Sequence, residues 1–236
     1  MGRIRCAGAG TDESGGKGLS VRREMRGFVI GSLLFALGAT PGYLGLVGTT
    51  ADNLTYFLGS IFFTIAGFTQ LRLTGRWQPG GWSSRDDWDD WWAAAIQFLG
   101  TIAFNISTFV AIAQNLDSET YQHHVWRPDF LGSIFFLVAS ALAVKATTHR
   151  SSLWDPEARN WWSTWLNMIG SVAFMASAIA AWSDPSTGQQ LSTYWVNAGT
   201  FIGAICFMSA AILLRPEARR ESDPSLNGNG PHPEED

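Results

Sequence analysis

Six stretches of the chain, roughly 27–48, 53–71, 91–114, 130–144, 161–182 and 193–214, are apolar, with almost no polar face and no alternation of period two. Helices that are apolar all round belong in lipid or in a large core. A chain of 236 residues has little outside these stretches to form such a core. Each stretch is close to the ~20 residues needed to cross ~30 Å of hydrocarbon. In lipid an unpaired N–H or C=O finds no water, so spans of this length are predicted to be helices. The fold class expected is an all-α integral membrane protein with six transmembrane helices.

The spans are internally ordered. Phe-Leu-Gly-Ser-Ile-Phe-Phe occurs at 57–63 and again, unchanged, at 130–136, and a looser copy, Phe-Ile-Gly-Ala-Ile-Cys-Phe, occupies 201–207. Trp91-Trp92 with Gln97, Gly100, Ala103, Phe104 and Ser107 matches Trp161-Trp162 with Asn167, Gly170, Ala173, Phe174 and Ser177 at a constant offset of 70. Every span carries Gly, then Phe four later, then a small residue seven later: Gly31/Phe35/Gly38, Gly59/Phe63/Ala66, Gly100/Phe104/Ser107, Gly132/Phe136/Ala139, Gly170/Phe174/Ser177 and Gly203/Phe207/Ala210. Offsets of four and seven return to one helix face. Small residues let helix backbones approach where lipid gives no hydrophobic drive for association, and Phe fills the adjoining hole, so this is read as a packing stripe. The pairs Gly27/Gly31, Gly38/Gly42 and Gly199/Gly203 add GxxxG faces, which leave closure of the bundle and a homo-oligomer both open.

A repeat of two spans enters and leaves the membrane in the same orientation each time. The expected arrangement is therefore three tandem parallel hairpin repeats, roughly 26–72, 91–145 and 161–215, within a membrane domain 21–220. Parallel copies differ from the inverted repeats of many transporters. Residues 1–20 and 221–236 are rich in Gly, Ser, Pro and charge and are expected to be flexible tails. Pro41, among Gly42, Gly45 and Gly48, is expected to kink or end the first span.

Charge orients the picture. On this threading 15 of the 16 Lys and Arg residues lie on one side, with Arg127 alone on the other, which places both termini in the cytoplasm of a plasma-membrane protein. Nine of the 12 Trp lie on that same side and are read as an interfacial belt rather than as stacking platforms for a ligand. No apolar run precedes the first long span, so a cleaved signal peptide is not expected. Cys6 and Cys206 fall in different compartments of this topology, which excludes a disulfide between them and any CxxC metal site.

Candidate chemistry is sparse. No Asp, Glu, Lys, Arg or His falls well inside a span, which argues against a proton-coupled pump, against haem held by intramembrane His, and against an enzyme. No catalytic residue, metal site or cofactor is assigned, and the bilayer, not nucleic acid, is the expected partner. Asp86-Asp87-Trp88-Asp89-Asp90 is read as acidic capping of a helix N-terminus ahead of a divalent-cation site. His123 and His124, with Asp117, Glu119 and Asp129 nearby, are read as a solvated loop ahead of a metal site. The polar candidates within the spans are amides: Gln97, Asn105, Asn167 and Asn197, with Gln70, Gln114 and Asn115 at the edges. They are read as interhelical glue, the alternative being a polar ring lining a path for a small neutral solute.

Asn53-Leu-Thr-Tyr-Phe-Leu-Gly-Ser-Ile-Phe-Phe, with the preceding Gly31-Ser-Leu-Leu-Phe, resembles the YrhK-like family of small bacterial two-span proteins over residues 22–76, about a quarter of the chain. The resemblance implies a hairpin unit and a bacterial origin, and it brings no activity or site residue. The expected role is structural or accessory; the alternatives are a facilitator for a small neutral solute and a lipid- or cofactor-binding membrane protein.

Overall fold

A computed structural model describes residues 10–75, 78–80, 85–113, 116–150, 159–184 and 186–213. It is all-helical: α1 (Gly10–Gly38), α2 (Tyr43–Val47), α3 (Thr49–Leu73), α4 (Arg85–Ala111), α5 (Ser118–Tyr121), a π-helical turn (Gln122–Trp126), α6 (Arg127–Arg150), α7 (Arg159–Ala180) and α8 (Thr193–Leu213). Among the described residues one isolated antiparallel bridge, Ser183 with Gln190, is the extent of extended pairing. Among the described residues five helical segments are long and apolar enough to cross a membrane: Thr49–Leu73, Trp88–Ala111, Glu119–Thr148, Trp161–Ala180 and Thr193–Leu213.

The first apolar stretch is not one continuous span. α1 stops at Gly38, and Ala39–Gly42 turn into the short α2. Pro41 has no N–H to donate and drives the preceding residue out of helical conformation. Gly42 and Gly48 then take φ of 89° and 80°, where a side chain would be strained. The chain thus re-enters the bundle at Thr49, four residues before the expected start. Gly42 lies outside α1, so Gly38/Gly42 is not a helix face; Gly38 instead abuts the Tyr56 ring. At its other end α1 begins at Gly10 and so takes in half of the stretch expected to be a flexible tail, a proline-free run that the helix continues through. The expected tail 221–236, the remainder of 1–20 and Trp77, Trp82, Trp154, Gln114 and Asn115 lie outside the described residues.

The helices close a ring: α1 packs on α3, α3 on α4, α4 on α6, α6 on α7, α7 on α8, and α8 back on α1. Its outer surface carries large apolar side chains such as Leu33, Ile65, Ile106, Phe109, Val172 and Ile212, all exposed, while Gly, Ser, Ala and Phe turn inward. That inside-out distribution suits a lipid solvent, which large apolar groups need not avoid.

Within each antiparallel pair the two stripes interlock reciprocally. A Cβ on Gly31 would meet Phe63 and the Gly59 carbonyl, and one on Gly59 would meet Phe35 and the Gly31 carbonyl. Gly100 and Gly132 face Phe136 and Phe104 in the same way, as do Gly170 and Gly203 with Phe207 and Phe174. Gly27 and Gly199 extend these contacts, against Phe62 and Ala66 in one pair and against Ala173 and Ser177 in the other. Both remaining GxxxG faces are therefore used inside hairpins.

The residue after each stripe glycine makes the contact between pairs. Ser32, Ser60, Thr101, Ser133, Ser171 and Ala204 are all essentially fully buried. Ser60 Oγ donates to Asn105 Oδ1 (2.8 Å) across α3 and α4, and Ser171 Oγ donates to the Phe136 carbonyl (3.2 Å) and meets Ser140 Oγ (2.8 Å) across α6 and α7. This second stripe was visible in the sequence as a recurring Gly-Ser/Thr/Ala pair, but it reads there as part of an apolar run.

Candidate functional site

The period of four that aligns Gly with Phe also brings all six phenylalanines to the bundle axis. Phe35, Phe104 and Phe174, from the first helix of each pair, form one triangle with ring centroids 6.0–6.3 Å apart. Phe63, Phe136 and Phe207, from the second helices, form another at 5.3–6.3 Å. The triangles are joined within pairs by Phe35–Phe63 (5.2 Å), Phe104–Phe136 (5.1 Å) and Phe174–Phe207 (5.5 Å). All six side chains are buried. The axis is thus filled at mid-height by two stacked layers of aromatic rings.

Above the first triangle, at the end where α3, α6 and α8 begin, lies a vestibule of about 580 Å³. That is within the ~300–1,000 Å³ range of small-molecule sites. Phe35, Phe104 and Phe174 line its floor, and exposed Leu44, Thr49, Ala113 and Thr193 line its mouth. Its walls follow the repeat. Seven residues before the stripe glycine of the second helices stand Asp52, Val125 and Val196, and three before it stand Tyr56, Asp129 and Thr200; all six line the cavity. Extrapolating the stripe by one and two turns was the signal that would have found them.

Asp52 is 8% exposed and its Oδ1 has no hydrogen-bond partner. The Tyr56 hydroxyl is within electrostatic reach of both Asp52 and Asp129. Trp126 stacks on Phe130 (5.1 Å, 16° between planes) and donates its indole N–H to the Ala178 carbonyl (2.9 Å), which fixes it as part of the cavity wall. Tyr121 accepts a hydrogen bond from Gln190 (3.0 Å), tying the α5 end to the loop before α8.

Below the second triangle the interior is nearly closed. Glu24, Gln70, Gln97 and Asn167, with Phe28, Phe207 and Ala211, surround a cavity of about 10 Å³. Such a space holds one water at most. Glu24 is buried, and Gln70 Oε1 is buried without a partner.

The four amide candidates therefore separate. Gln97 and Asn167 both line the small cavity, and Asn197 lines the vestibule. Asn105 sits between α3 and α4, accepting from Ser60 and donating to Thr64 Oγ1 and the Thr101 carbonyl, which is the behaviour of interhelical glue. No single polar ring forms, because the phenylalanine layers intervene.

The interior is richer in carboxylates than the sequence suggested. Asp89 is fully buried and pairs with Lys145 Nζ at 2.9 Å, so it is not a cap on solvent-exposed backbone. Glu24 and Asp52 are buried as well. Each lies near an end of a span, where distance along the chain does not reveal that the side chain turns toward the axis. The stretch holding His123 and His124 is helical rather than a loop, because α5 and the π turn run on into α6. Both histidines are exposed, with His123 Nδ1 2.7 Å from Arg127 Nη1, and no metal-binding cluster occurs among the described residues.

At the Trp-rich end the repeat is geometric as well as chemical: Trp91–Trp92 and Trp161–Trp162 both meet edge to face with centroids 4.9 Å apart. No family model, curated protein or solved structure matches the chain.

Proposed function

We propose that the chain is a plasma-membrane protein of six spans, three tandem parallel hairpins with both termini cytoplasmic, that binds a small solute in a blind vestibule facing outward. The observation that carries this reading is the vestibule itself, a volume of about 580 Å³ above a floor of Phe35, Phe104 and Phe174. A standing pore for neutral solutes would need a water-lined axis, whereas here two layers of rings separate Asn197 from Gln97 and Asn167. The role is accessory: capture or sensing at the outer face, without conduction. The broken first span is counted as a crossing because α1, up to its end at Gly38, packs against both α3 and α8 in the ring, and the likeness of the first hairpin to YrhK-like proteins fits a hairpin as the unit of construction.

The test is thiol labelling of intact cells in a background carrying Cys6→Ser and Cys206→Ser. An Asn197→Cys variant is expected to react with a membrane-impermeant reagent from outside, and Gln97→Cys is expected not to. External labelling of Gln97→Cys at the rate of Asn197→Cys would establish a water-filled path and replace this reading with a facilitator. Labelling of Asn197→Cys only after permeabilisation would reverse the orientation.

A further inference from the structure

The vestibule is electrostatically one-sided. Asp52 and Asp129 line it, and no Lys, Arg or His does among the described residues. The basic group nearest in sequence, Arg127, is exposed and engaged with His123. A buried carboxylate oxygen left without a partner is costly, and Asp52 Oδ1 is in that state on the cavity wall. A polar neutral guest would give it a hydrogen bond; a cation would also answer the charge. The rest of the lining selects which cation.

A divalent metal seeks six to eight oxygen ligands in Ca²⁺ sites or near-octahedral oxygens in Mg²⁺ sites, and no cluster of three or more metal-ligating side chains occurs among the described residues. Much of the surface is aromatic instead. Phe35, Phe104 and Phe174 form the floor, Tyr56 meets Phe35 edge to face at 5.4 Å, and Tyr121 and Trp126 lie on the walls. Ring faces attract large, weakly hydrated cations.

The charge is also off-axis. Hairpin one supplies Asp52 and Tyr56 and hairpin two supplies Asp129, while hairpin three offers Val196 and Thr200 at the matching positions. A guest with a charged head and a neutral body suits this division.

We propose that the vestibule binds a small organic cation, an amine or quaternary ammonium, whose head lies between Asp52 and Asp129 above the aromatic floor. The proposal rests on the reading of the vestibule as a solute site and adds its chemical class.

It is tested by calorimetric titration of the full-length protein in nanodiscs with choline chloride and with its neutral carbon isostere, 3,3-dimethylbutan-1-ol, at constant ionic strength. Choline is expected to bind saturably and at least tenfold more tightly than the isostere. Asp52→Asn and Asp129→Asn are each expected to weaken choline at least tenfold, and Glu119→Gln, an exposed carboxylate outside the cavity, is expected to leave it unchanged. Size-exclusion profiles identify any variant that misfolds, and the other neutralisation then decides. Equal binding of both probes overturns the cation assignment and leaves a solute site standing. Absence of choline binding, or wild-type affinity in a folded Asp129→Asn variant, overturns it too. Failure of the vestibule reading itself appears separately, in the thiol labelling.

Discussion

Replacing Gly199 with alanine is expected to destabilise the protein, while the same change at Gly67 stabilises it. A Cβ on Gly199 would stand 2.7 Å from the Ala173 carbonyl oxygen and 2.9 Å from Ser177 N and Cβ. The nearest of these is about 0.7 Å inside ordinary contact at 3.4 Å, and backbone atoms cannot rotate away. Relief requires α7 and α8 to separate just where Ser177 Oγ bonds the Val196 carbonyl and Thr200 Oγ1, both at 2.8 Å.

Overpacking of this kind costs ~1–3 kcal/mol, and weakening two interhelical hydrogen bonds adds ~0.6 kcal/mol each. The helix-propensity gain of ~1 kcal/mol for Gly→Ala offsets part of this. The net expectation is a loss of about 1–3 kcal/mol. At Gly67 a Cβ meets nothing closer than 3.5 Å, so the propensity gain of up to ~1 kcal/mol stands alone. Equilibrium unfolding in mixed micelles, followed by Trp fluorescence, measures both variants. If they shift together, or if Gly199→Ala is the more stable, close backbone approach is not what holds α7 to α8.

Phe136→Ala removes a ring that touches both aromatic layers and is 1% exposed; a loss of ~3–5 kcal/mol is expected in the same assay. Lys145→Met leaves Asp89 buried and unpaired, at a cost of about 1–3 kcal/mol, below the ~3–5 of a fully buried pair because Lys145 is half exposed; adding Asp89→Leu is expected to recover part of it.

The helical architecture and the pairing face were legible because both depend on periodicity. Gly and Phe at offsets of four and seven name one face of each helix, and that face does bind the partner. Their meeting at the axis was not legible, because a stripe says which residues share a face but not that six such faces converge. The break in the first span was legible in Pro41 among Gly42, Gly45 and Gly48, whereas the short α2 that follows the turn was not, since it lies within the same apolar stretch. Asp129 was read with a solvated loop because it sits at a span end, although its spacing from Gly132, like that of Asp52 from Gly59, puts it on a cavity-lining turn. Gln97 and Asn167 stand at equivalent offsets in the sequence and both line one cavity, yet no linear feature reveals that they enclose a space the size of one water.

The reciprocal Gly–Phe lock joins the two helices within each hairpin, and the residue that follows the glycine adds contacts between hairpins to those of the axial rings. At two of the three joins that position supplies a hydroxyl bonded across the interface: Ser60 toward Asn105, and Ser171 toward Phe136. At the third, where α8 returns to α1, the corresponding residues are Ala204 and a Ser32 whose Oγ has no partner. Synthesis from the N-terminus makes that join last, between the first and final hairpins to leave the ribosome. Among the described residues this closing seam is the one where the position after the glycine supplies no hydrogen bond across the interface, so its clasp is made of apolar contact at that level.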